Sequence, residues 1–118
     1  DQLINRRAEL LDSINKANAT QYNDTIEHCN QSKADFALSM ERERDKQVAE
    51  INRKDGLSES ERQRQVSERQ AYFEREIKRH LLEMNRQISS AEVGLKRLED
   101  NKAELAKVQQ ALAKQLTH

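Results

Sequence analysis

The stretch RKDGLSESER, Arg53 to Arg62, holds one of the two glycines in a chain without proline, and it reads as a helix stop followed at once by a helix start. Arg53 and Lys54 put positive charge at a helix C-terminus, where the last carbonyls carry partial negative charge. Gly56 suits the left-handed C′ position that a Cβ disfavours. Leu57 then falls at C″, one turn from Ile51. Ser58 and Glu61 match the capping pattern S-x-x-E, and Glu59 adds negative charge to the new N-terminus. In this order, the features predict a tight reversal between two helices.

Outward from that turn, helical spacing is the only periodicity. Downstream, Ile77, Met84, Ala91, Leu98, Leu105 and Leu112 recur every seven residues. A second series, Leu81, Ile88, Leu95, Lys102, Gln109 and Leu116, follows four residues after each, and the two together read as an a/d seam. Lys102 and Gln109 are its polar members and suit a role in fixing register, with Glu9 and Asp12 as facing partners for Lys102. Phe73, Ile77 and Leu81 take two successive steps of four, a stutter that relaxes the supercoil.

Upstream, one stripe runs through Ile4, Ala8, Leu11, Ile14, Asn18, Tyr22, Ile26, Cys29, Lys33, Ala37, Met40, Arg44, Val48 and Ile51. Its mean step is about 3.6 residues, the period of a straight helix. Asn18, Lys33 and Arg44 interrupt it. A local break near NATQYNDT is compatible with the pattern, Asp24 and Glu27 being able to cap a restart.

The expected architecture is therefore all-α: a long antiparallel two-helix coiled-coil hairpin, with a helix over about 2–54, a turn at about 55–57 and a helix over about 58–117. At 1.5 Å per residue it would be about 80 Å long, with facing residues whose numbers sum to about 112. That register sets Tyr22 and Asn18 against Ser90, Ala91 and Gly94, and Phe36 and Met40 against Tyr72, Phe73 and Ile77. Large then meets small. Two helices bury only one narrow seam, so a second copy is expected to complete a dimeric helical bundle. Leu112 and Leu116, overhanging the first helix, are natural contacts for it.

Composition narrows the function. Of 118 residues, 36% are charged and 3% aromatic, and the mean hydropathy is -1.08. Abundant Ala, Leu, Glu, Lys, Arg and Gln favours long helices over disorder. Lys plus Arg number 21 and Asp plus Glu 21, leaving no net field to gather nucleic acid or anionic lipid. No apolar run is long enough to span a bilayer, so no direct membrane insertion by this segment is expected. A soluble segment follows, cytoplasmic or periplasmic. The chain begins at Asp1, not Met, and is read as a fragment of a larger protein. Asn18, Asn23 and Asn30 head glycosylation triplets, which matter only in a secreted eukaryotic protein.

No phosphate loop, zinc-protease motif, paired-cysteine motif or nucleophile elbow occurs in the sequence. The chain is read as non-enzymatic and without a cofactor. One soft cluster, His28, Cys29, His80 and Met84, has donor types that suit Cu(I), but Cys29 and Met84 are read as flexible fillers of the seam with the histidines on its rim, and no metal is expected. The leading function is a protein-protein interaction or scaffold module, a hairpin spacer presenting its charged tip or flank to a partner. Arg53, Lys54, Leu57 and Arg62 are the tip candidates. The alternative is transport: GLSESE, Gly56 to Glu61, is similar to the tips of periplasmic adaptor (membrane-fusion-type) hairpins of bacterial efflux and type I secretion systems, which meet an outer-membrane channel. Gln47 stands where such a tip would carry an arginine. The receptor-binding hairpin of a bacteriocin is a further alternative.

Overall fold

The computed structural model describes residues 1–117. The chain is all-helical, with α1 (Gln2–Lys16), α2 (Ala19–Arg53) and α3 (Glu59–Leu116). It is 92% helical, and no strand occurs among the described residues. Strong helix formers and the absence of proline account for this.

The expected helix over 2–54 is divided in two. Ala17 is extended, with φ -73° and ψ 142°, and its N–H is shared between the carbonyls of Ser13, at 3.1 Å, and Ile14, at 3.3 Å. Asn18 starts α2: its side-chain Oδ1 accepts from the N–H of Gln21 at 3.0 Å, and its carbonyl accepts from the N–H of Tyr22 at 3.1 Å. A short amide side chain competes with the helix for backbone donors, so it favours this boundary position over an interior one. Asp24 and Glu27 lie inside α2 and cap nothing.

The break resets the phase of the apolar stripe. In α1 Leu10 is 2% exposed, whereas Leu11 is 40% and Ile4 48% exposed. Leu3, Leu10, Ile14 and Ala17 face inward there. From Tyr22 to Ile51 every expected stripe member is buried or half-buried. The stripe fails only where it was carried through a residue that leaves the helix.

The chain divides into two compact units, His28–Gln87 and Asp1–Glu27 together with α3 from Ile88 onward. Within His28–Gln87, residue numbers rise along α2 as those of their partners fall along α3. Lys33 Nζ donates to Asn85 Oδ1 at 2.9 Å, the Phe36 ring stacks on His80 with centroids 4.1 Å apart, and Arg62 reaches the carbonyl of Ile51. Cys29, Ile51 and Phe73 are the buried apolar residues of this unit. Phe36 thus meets His80, three residues beyond Ile77 and seven beyond Phe73 of the expected register. Lys33, an interruption of the stripe, is accommodated by an amide partner.

In the other unit, Leu10, Ala91, Leu98 and Val108 are buried. Tyr22 lies against Gly94 so closely that a Cβ there would be 2.5 Å from Tyr22 Cζ. That pairing agrees with the expected fit of large against small. Arg6 grips Glu104 through two hydrogen bonds, Nε to Oε1 and Nη2 to Oε2, both 2.7 Å.

The α3 seam is half as expected. The series Ile77, Met84, Ala91, Leu98, Leu105 and Leu112 is buried or half-buried throughout. In the second series Ile88 and Leu95 are half-buried, but Leu81, Lys102, Gln109 and Leu116 are exposed. His80, Gly94, Asn101 and Val108 are half-buried or buried instead, three residues rather than four after Ile77, Ala91, Leu98 and Leu105. Lys102 has its Nζ 3.7 Å from Glu99 on its own helix rather than against Glu9 or Asp12. Glu9 pairs with Arg6 at 3.1 Å and Asp12 with Lys16 at 2.8 Å.

Candidate interaction surfaces

The turn between α2 and α3 is built locally. Gly56 has φ +80°, the left-handed conformation that its lack of a Cβ permits. Ser58 Oγ accepts from the N–H of Glu61 at 3.1 Å, and the Ser58 carbonyl accepts from the N–H of Arg62 at 2.9 Å. Ser58 thus performs its half of the capping box. The Glu61 carboxylate instead takes hydrogen bonds from Arg64 and Gln65. Those bonds, Arg64 first, hold the Glu61 carboxyl below its ordinary pKa.

The four tip candidates divide by what their polar groups do. Arg62 is half-buried and donates from Nη1 to the Ile51 carbonyl at 2.6 Å and from Nη2 to the Lys54 carbonyl at 2.9 Å. Its guanidinium bonds two carbonyls at the end of α2, of which that of Ile51 also accepts from the N–H of Lys54 at 3.2 Å. Arg53 is exposed and donates from Nε to Ala49 O at 3.2 Å. Lys54 is exposed and Leu57 half-buried. Charge available to a partner at the tip therefore resides in Lys54 and Arg53, while Arg62 belongs to the turn itself.

The members of the soft cluster have separate surroundings. Cys29 is buried, with Sγ donating to Gln87 Oε1 at 3.5 Å. His80 Nε2 is 3.1 Å from Ser32 Oγ while its ring lies on Phe36. His28 is exposed and Met84 half-buried. No group of three or more His, Cys, Asp or Glu side chains suited to a metal ion occurs among the described residues. None of the described helices is long and apolar enough to cross a membrane.

A concave feature not evident from the sequence lies in the His28–Gln87 unit. An open groove of about 570 Å³ is lined by Phe36 and by Glu76, Arg79, His80, Leu82, Glu83 and Arg86 of α3. Leu82 is 71% exposed. Arg79 pairs with Glu76 at 3.5 Å and Arg86 with Glu83 at 2.7 Å. The hydrogen bond from Arg86, then that from Gln87, holds the Glu83 carboxyl below its ordinary pKa. The signal was present as an acid and a base three apart, repeated after seven residues. It lay outside the apolar seam, where charge ordinarily means only a solvated face.

Comparison with protein-family models, with curated proteins and with solved structures found no match for this chain.

Proposed function

We propose that this chain is a non-enzymatic interaction module, an antiparallel coiled-coil hairpin that works as a spacer and offers its tip and flank to protein partners, including a second copy of itself. The observation that carries the reading is the reversal at Gly56, closed by Arg62 on the carbonyls of Ile51 and Lys54. The Phe36–His80 stack and the Lys33–Asn85 bond support a return of α3 beside α2 from a turn braced in this way. The functional groups outside the helix pairing are exposed charges and isolated apolar side chains, which suit protein contacts rather than bond-making chemistry. The chain's charge balance makes protein a better partner than nucleic acid. The similarity to periplasmic adaptor tips rests on Gly56 to Glu61, and Gly56 and Ser58 are used in turning the chain.

The test has two arms. In a Cys29→Ser background, spin labels at Arg6 and Glu104, and separately at Lys33 and Asn85, are measured in labelled chain diluted with unlabelled chain. Distances compatible with the roughly 10 Å between packed helix axes are expected for both pairs. A long distance for either pair removes the hairpin. For presentation, Leu57→Cys carrying a photoactivatable group should cross-link protein in cells that make this chain, and cross-linking to nucleic acid or lipid alone contradicts it.

A further inference from the structure

We infer that the α3 flank carrying Glu76, Arg79, Leu82, Glu83 and Arg86 is a docking surface for a second copy of this chain, whose α3 runs antiparallel about a two-fold axis at residue 81. The inference rests on the homodimer within the proposed function and specifies its interface.

The residues form a stripe of their own. Tyr72, Glu76, Arg79, Glu83 and Arg86 follow steps of four, three, four and three, the spacing that keeps side chains on one face of a helix. Phe36 of α2, His80 and Leu82 line the groove with the charged residues of this stripe. Tyr72 is 43% exposed, so apolar surface extends along the same stripe toward the turn.

The charges identify the occupant. Along α3 the order is acid, base, acid, base, and an antiparallel copy presents the reverse order. Centred on residue 81, the pairing sets Glu76 against Arg86 of the second copy and Arg79 against Glu83 of the second copy, and the symmetry repeats both pairs. Leu82 falls opposite His80 of the second copy, whose ring already lies on Phe36. A parallel, in-register copy would set like charge against like. The surface is thus complementary to itself in one orientation, as a two-fold interface requires.

The arginines are placed to make the exchange. The side chains of Arg79 and Arg86 are 78% and 76% exposed, against 27% and 42% for Glu76 and Glu83. The carboxylates therefore stay near the helix while the guanidinium groups extend outward. Exposed ion pairs of this kind set orientation more than affinity, which falls to Leu82 and the aromatic patch.

Sedimentation equilibrium of the chain at tens of micromolar tests this, with circular dichroism to check that each variant keeps its helix. The wild-type chain should be dimeric. Leu82→Asp should weaken the dimer at least tenfold, Arg79→Glu should weaken it, and Arg79→Glu with Glu83→Arg should recover much of the loss, because the pair across the axis is restored with its signs exchanged. A dimer indifferent to Leu82→Asp, or one dispersed only by Leu116→Asp, overturns this surface while leaving the dimer in place. A monomeric wild type overturns both the surface and the dimer. The hairpin is tested separately by the spin-label distances within one chain.

Discussion

Arg62 closes the end of α2 from the first turns of α3, its Nη1 donating to the main-chain carbonyl of Ile51 at 2.6 Å. The bond is charge-assisted, and its acceptor belongs to a residue only 7% exposed. Without Arg62 the Lys54 carbonyl must turn to water, and the Ile51 carbonyl keeps only the N–H of Lys54, at 3.2 Å. Arg62→Ala should therefore cost about 1–3 kcal/mol in chemical denaturation. Arg62→Lys should recover only part of this, since one ammonium does not reproduce a fork that spans two carbonyls. Equal stability for Ala and wild type would show that the clasp contributes nothing.

Gly94 is set by the ring beside it. A Cβ at this position would lie 2.5 Å from Cζ and 2.7 Å from Cε1 of Tyr22, and a half-buried ring is not free simply to step aside. In an isolated helix Gly→Ala would stabilise by roughly 1 kcal/mol. Here Gly94→Ala should lower the melting temperature, and Tyr22→Ala in the same chain should reverse the sign of the substitution. If Gly94→Ala is stabilising alone, the close approach does not govern this position.

Asn18 is the cap of α2, and Asn18→Ala removes the acceptor for the N–H of Gln21. The expected loss is about 1 kcal/mol. Asn18→Asp and Asn18→Ser should retain most of the stability. Amide exchange gives a local check: protection of Gln21 and its neighbours should fall in Asn18→Ala while protection near Cys29 holds. Uniform loss across α2 would mean that Asn18 acts other than as a cap.

Acid should weaken the chain through its helix-surface ion pairs. The hydrogen bond from Arg6 is the first cause lowering the Glu104 pKa, as those from Arg64 and Arg86 are for Glu61 and Glu83. Each carboxyl is depressed below the ordinary 4.5, so its contribution is complete above that pH and is lost as the pH falls through the lower, folded value. The groups are partly exposed, and solvent screening keeps each contribution small. Thermal unfolding should show a decline confined to the acid side of about pH 4.5, with Glu104→Gln lowering stability at neutral pH and reducing the acid-dependent part. An unchanged pH profile in Glu104→Gln would dissociate Arg6–Glu104 from stability.

How far these features could be read in advance depends on the range of the interaction behind each. Gly56 and Ser58 were legible because a left-handed residue and an N-cap are decided within a few residues of chain. The cap at Asn18 was equally local, in the N-x-x-Q of Asn18 and Gln21, but the apolar stripe running through it invited one continuous helix. The groove at Phe36 and Leu82 was not legible, since a charged stripe acquires a shape only when α2 supplies a wall.

The sequence by itself determined an all-helical chain, the reversal at Gly56, the inward face of α2 and the heptad from Ile77 to Leu112, because propensity, caps and period act along the backbone. Only the tertiary structure decided that Leu10 rather than Leu11, and Val108 rather than Gln109, points inward. Positions three and four residues along a helix are almost equally good neighbours of the same seam. The element packed against them selects one. The same dependence on a distant backbone took Arg62 from a surface charge to the clasp on Ile51.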